Sequence, residues 1–107
     1  MNFPDRLTIH VTDRHIGTGV CSSPSNCPIA LAVIDALDPL NLELPMSVDV
    51  GSTVWLTHPT NNHRTLVSAR YNYPKVARDF IDDFDGRRHV TPISFEMELD
   101  YQSDSRN

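Results

Sequence analysis

Nine consecutive residues towards the C-terminal end leave the chain little freedom. Ile93, Phe95, Met97, Leu99 and Tyr101 alternate without interruption with Ser94, Glu96, Glu98 and Asp100. A period of two sends successive side chains to opposite faces of an extended backbone, so this segment reads as a strand with one apolar and one acidic, solvated face. A single strand cannot bury such a face. The fold must supply a sheet beside it and a covering layer over its apolar side.

The remaining sequence offers both. Leu7, Ile9 and Val11 alternate with Thr8, His10 and Thr12, a second half-buried strand. Thr12 or Asp13 is placed to cap a short helical turn carrying Ile16, which Gly17 and Gly19 end. Pro28 suits the first position of a helix, where a missing N–H costs nothing. The residues after it, Ile29 to Leu37, are apolar on nearly every face apart from Asp35, so this helix must pack on more than one side before Asp38-Pro39 stops it. Val48 and Val50, Thr53 to His58, and Arg64 to Tyr71 read as two or three antiparallel strands, joined at Gly51-Ser52 and at a polar turn ending in His63. Pro74 opens a further helix with the apolar stripe Val76, Ala77, Phe80, Ile81 and Phe84; Arg78 and Asp82 are spaced for an i,i+4 ion pair. Gly86 is expected to close that helix in the left-handed conformation.

The order strand, helix, two or three strands, helix, strand predicts an α+β class. The expected architecture is a mainly antiparallel sheet of four to five strands with two helices on one face, approximating the split β-α-β (ferredoxin-like) order. A chain of 107 residues is long enough for one core and too short for two. Residues 1–101 are expected to form that single domain, with 102–107 a frayed polar tail. Ile93, Phe95, Met97 and Leu99 should share a core with Ile29, Val33, Phe80 and Phe84.

A net charge of −5 argues against sequence-independent binding to nucleic acid or to an anionic membrane. Arg64, Arg70, Lys75 and Arg78, interleaved with Tyr71 and Tyr73, form a basic-aromatic strip of the kind that contacts phosphates and stacks bases, but Asp79, Asp82, Asp83 and Asp85 follow at once. No apolar run approaches bilayer-spanning length and the first residues do not read as a secretion signal, so the expected location is the cytoplasm.

Three constellations bear chemistry. His10, His15, Cys21 and Cys27 are zinc-ligand types, although their spacing is not that of a knuckle or ribbon. Cys27, immediately before Pro28, falls at a helix N-cap, where the helix dipole would lower a thiol pKa and His10 or His15 could act as base. Trp55, one residue out of phase with Val54 and Leu56, faces either the core or the outside; in the second case it could present, together with His58, Asn61, Asn62, His63 and Arg64, an interaction surface on a sheet face and a hairpin tip. No phosphate loop, dinucleotide fingerprint or nucleophile elbow is present, so an enzyme is the minority reading and no cofactor other than zinc suggests itself.

Three stretches carry a family likeness: Ile9-His10-Val11-Thr12 with His15-Ile16 and Gly19, then Cys27-Pro28-Ile29-Ala30-Leu31-Ala32, then Phe84-Asp85-Gly86 followed by Pro92-Ile93-Ser94-Phe95. In that order they resemble small uncharacterised accessory proteins of tailed bacteriophages and prophages. Those proteins carry a tighter Cys-x-x-Cys-Pro before the central helix, whereas five residues separate Cys21 from Cys27. The resemblance implies a phage accessory gene expressed in a bacterial host cytoplasm, whose product binds a host or phage protein without catalysis. A small zinc- or nucleic-acid-binding module is the alternative.

Overall fold

A computed structural model describes residues 3–40, 47–59 and 66–104. Within them lie the strands β1 (Arg6–Val11), β2 (Ser47–Val50), β3 (Val54–Pro59), β4 (Leu66–Asn72) and β5 (Ile93–Asp104). The helices are α1 (Asp13–Thr18), α2 (Pro28–Leu37) and α3 (Lys75–Asp85), and a 3-10 turn, Asp38–Leu40, follows α2. The class is α+β with a five-stranded antiparallel sheet, as the alternation demanded. β5 continues three residues past Tyr101, to Asp104.

The strand order is β1-β5-β4-β3-β2, with every neighbouring pair antiparallel. A split β-α-β sheet would hold its first strand inside, beside a parallel partner; here β1 lies at an edge. β2, β3 and β4 instead follow one another as a meander, the antiparallel arrangement that short connections favour. α2 touches both β1 and β2, which are the opposite edges of the sheet. The sheet therefore curls around α2. That position explains why a helix with almost no polar surface is stable: Ile29, Ala30, Ala32 and Val33 are buried.

The expected core is present. Phe95 and Met97 are buried with Ile29, Val33 and Phe80, while Ile93, Leu99 and Phe84 pack at its margin. Tyr71 is wholly buried, and its hydroxyl donates to the Pro4 carbonyl at 2.5 Å, so the one polar atom of a large core side chain is satisfied. Val76, placed in the apolar stripe of α3 by spacing, is exposed; Ala77 and Phe80 are the side chains that α3 buries.

The end of α3 differs from expectation by one residue. Gly86 has φ −80° and ψ 4°, and Arg87 takes the left-handed conformation at φ 60°. The Arg87 N–H donates to Phe84 O at 3.0 Å and the Arg88 N–H to Asp83 O at 2.8 Å, the paired bonds of a Schellman motif whose left-handed position is Arg87. Helical hydrogen bonding still holds Gly86, whose N–H reaches Asp82 O, so the reversal is displaced onto an arginine.

A second departure matters more. The pairing of β4 with β5 runs Arg70↔Tyr101 and then Tyr71↔Leu99, leaving Asp100 as an extra residue in β5. A bulge of this kind turns the strand by one residue's worth of alternation. Tyr101, apolar-facing by strict periodicity, is thereby swung to the solvent side, where it is 44% exposed.

Candidate protein-binding face

The helices cover the concave side of the sheet, so its convex side carries the outward residues of each strand. Val54 and Leu56 are buried, which sends Trp55 outward; Val48 and Val50 do the same for Asp49, and Ala69 and Tyr71 for Arg70. The strand registers Asp49↔Trp55, Trp55↔Arg70 and Arg70↔Tyr101 align these four residues in one row across β2, β3, β4 and β5. At the usual strand spacing the row is roughly 14 Å long.

Its members hold one another. The Arg70 guanidinium carbon lies 5.5 Å from the Trp55 ring centroid and 5.7 Å from that of Tyr101. The two rings meet edge-on, with centroids 6.0 Å apart and planes at 64°. Arg70 Nε and Nη2 both donate to Asp100 Oδ2, at 2.9 and 2.6 Å. The bulge makes this possible, because Asp100 and Tyr101 together oppose Arg70. Each cation–π contact is worth about 0.5–1 kcal/mol at an exposed site, and the exposed ion pair adds little of its own. The consequence is order rather than stability: a tryptophan, a tyrosine and an arginine are fixed relative to one another on an open surface.

The zinc constellation is not assembled. His10 lies on the convex face, its Nδ1 2.8 Å from the hydroxyl of its register partner Ser94. His15 is buried on the far side of the sheet. The Thr12 backbone N–H donates to His15 Nδ1 at 3.0 Å, so the ring proton sits on Nε2, which donates to Asp35 Oδ2 at 2.6 Å. Both ring nitrogens are committed: Nε2 carries the proton, and the Nδ1 lone pair is taken up by the Thr12 N–H. Cys21 Sγ donates to Phe84 O at 3.3 Å, while Cys27 Sγ accepts from the Ala30 N–H at 3.4 Å. Among the described residues no group of three or more His, Cys, Asp or Glu side chains converges to hold a metal.

Cys27 does cap α2, but its thiol moves the other way from expectation. Burial pushes it above the ordinary 9.0, outweighing the bonds from the Ala30 and Ile29 N–H groups that lower it. A poorly ionised, buried sulfur is a structural cap. The basic-aromatic strip is dispersed as well: Tyr71 is in the core, Arg70 pairs with Asp100, Lys75 with Asp79, and Arg78 reaches Asp82 at 3.9 Å as its spacing predicted. Asn61, Asn62, His63 and Arg64 lie outside the described residues, and His58 lies in β3.

The role of His15 is legible in these bonds. With Thr12 it forms a capping box at the start of α1, histidine standing where glutamate or glutamine is usual, and it ties α1 to α2 through Asp35. The His15 bond holds the Asp35 carboxyl below its ordinary 3.8; partial burial opposes this, and Arg14 reinforces it at 2.6 Å. The folded protein therefore binds fewer protons than the unfolded chain in this range. The stabilisation is complete above 3.8 and is lost as pH falls through the lower folded value. Urea unfolding of Asp35→Asn and the parent should show the variant weaker at pH 6, with the gap closing below 3.8. A gap of constant size down to pH 2 would remove the ion pair from this account.

Among the described residues no helix is long and apolar enough to cross a membrane. Compared with protein-family models, curated proteins and solved structures, the chain matches none of them.

Proposed function

We propose that this chain is a non-catalytic binding domain that docks a protein on the convex face of its sheet, with Trp55 and Tyr101 as anchors. The observation that carries the reading is the outward aromatic pair clamped over Arg70. Tryptophan, tyrosine and arginine are the residue types that dominate binding energy at protein interfaces. Side chains already held in one geometry lose less freedom on association, which leaves more of the contact energy as affinity. The likeness to tailed-phage accessory proteins suggests a host or phage protein as the partner, in a bacterial cytoplasm. Nucleic acid fits the face less well, because Asp100 already neutralises Arg70 and Glu96 and Glu98 project beside it.

Trp55 is the single tryptophan and is 36% exposed, so its fluorescence reports on this face alone. Emission from the free protein should be accessible to a soluble quencher. A protein retained from bacterial lysate by the immobilised chain should be lost with Trp55→Ala and kept with Val76→Ala, an exposed position on α3. It should also shift the Trp55 emission to the blue. Equal retention by both variants, or recovery of nucleic acid alone, would overturn the proposal.

A further inference from the structure

The row on the convex face repeats one chemical arrangement. On one side of Trp55, Arg70 lies against the indole and Asp100 supplies its counter-charge. On the other side, Asp49 is the register partner of Trp55, is exposed, and has no ion pair among the described residues. Directly opposed residues in an antiparallel pair have Cβ atoms about 4.5–5.5 Å apart, so a carboxylate and an aromatic ring stand side by side there too. We propose that Asp49 and Trp55 form a receptor for an arginine side chain of the protein partner.

The proposal rests on the binding face described above and names what that face selects. A guanidinium is planar and weakly hydrated, so it stacks on an indole while donating paired hydrogen bonds to a carboxylate. Arg70 shows that this chain already uses that combination on this ring. The adjoining charge leaves room for a cation: Asp100 neutralises Arg70 on the far side of the ring, and Asp49 has no ion pair of its own among the described residues. An arginine arriving at Asp49 meets an unpaired carboxylate beside an aromatic ring and lengthens the row to two guanidiniums flanking Trp55.

The test follows the indole N–H of Trp55 by NMR in the full chain during titration with acetyl-Gly-Arg-Gly-amide. The matched peptide carries citrulline, which keeps the shape and removes the charge. Saturable shifts are expected with the arginine peptide, weakened by roughly two- to fivefold in added salt, as screening of an exposed ion pair requires. They should be absent with citrulline and lost in Asp49→Asn, whereas Asp79→Asn on α3 should leave them unchanged. No shift, equal shifts with both peptides, or an undiminished response in Asp49→Asn would overturn the receptor. The retained protein separates this from the reading beneath it. Loss with Trp55→Ala but full retention by Asp49→Asn would remove the arginine receptor and leave the binding face; full retention by both would remove the face itself.

Discussion

Replacing Phe80 by alanine should cost the domain about 3–5 kcal/mol, the usual range for deleting a buried aromatic ring. α3 holds on to the sheet by few residues. Ala77 and Phe80 are its buried side chains, with Ile81 and Phe84 packed at the margin. The Phe80 and Phe84 rings lie nearly parallel, with centroids 6.2 Å apart and planes within 5°. Removing Phe80 therefore strips Phe84 of its neighbour and leaves α3 attached through Ala77 and the marginal contacts of Ile81 and Phe84. A domain of this size has a total stability of about 5–15 kcal/mol, so the variant should be close to unfolding at moderate temperature. Val76→Ala, one turn away and 45% exposed, is the matched control and should change stability by less than about 0.5 kcal/mol. Urea midpoints settle the matter. If Phe80→Ala and Val76→Ala unfold together, α3 does not seal this core.

The elements were readable because their signals are local. Alternation in β1 and β5, the apolar run after Pro28 in α2 and the stripe of α3 each state which residues turn inward, and the structure buries or half-buries most of them, with Val76 and Tyr101 among the exceptions. Pairing order was not readable in the same way, since alternation says which side of a strand is inward and nothing about its neighbour. The bulge at Asp100 shows this limit most clearly. Its residues continue a flawless period-two pattern, and only the register of β4 against β5 shows that Tyr101 has changed sides. Alternation at Val54, Trp55 and Leu56 fits either face, and only the burial of Val54 and Leu56, like that of Ala69 and Tyr71 around Arg70, sends Trp55 and Arg70 outward. That the two meet Tyr101 over one guanidinium required the sheet. The zinc grouping does not assemble for a related reason: spacing brings ligand types near one another in sequence, whereas the capping box at α1 claims Nδ1 of His15 and Asp35 claims Nε2.

Gly19→Ala should be almost as damaging as the loss of Phe80, for a reason that has nothing to do with backbone freedom. Gly19 has φ −71° and ψ 155°, a conformation open to any residue. The difficulty is space. A Cβ at Gly19 would lie 2.6 Å from both Cδ and Cγ of Pro28 and 2.8 Å from its nitrogen, well inside contact distance. Neither side can yield easily. Pro28 is the buried first residue of the helix around which the sheet curls, and the Gly19 N–H is bonded to His15 O at 2.8 Å. The next residue is tied as well, Val20 N–H to Asn26 O at 2.9 Å, so a shift of the loop breaks hydrogen bonds rather than stretching a free segment. Overpacking of this kind costs about 1–3 kcal/mol, and the rigidity here places the expected loss at the upper end. The clash can be isolated from other effects of the substitution. Pro28→Ala removes Cγ and Cδ, so the double variant Gly19→Ala/Pro28→Ala should lose less stability than the two single losses added together. Residues in contact give coupling energies of about 0.5–3 kcal/mol in such a cycle. Strict additivity in urea unfolding would mean that Gly19 and Pro28 do not meet as described, and would remove the close approach of the α1 terminus to α2 from the account of this fold.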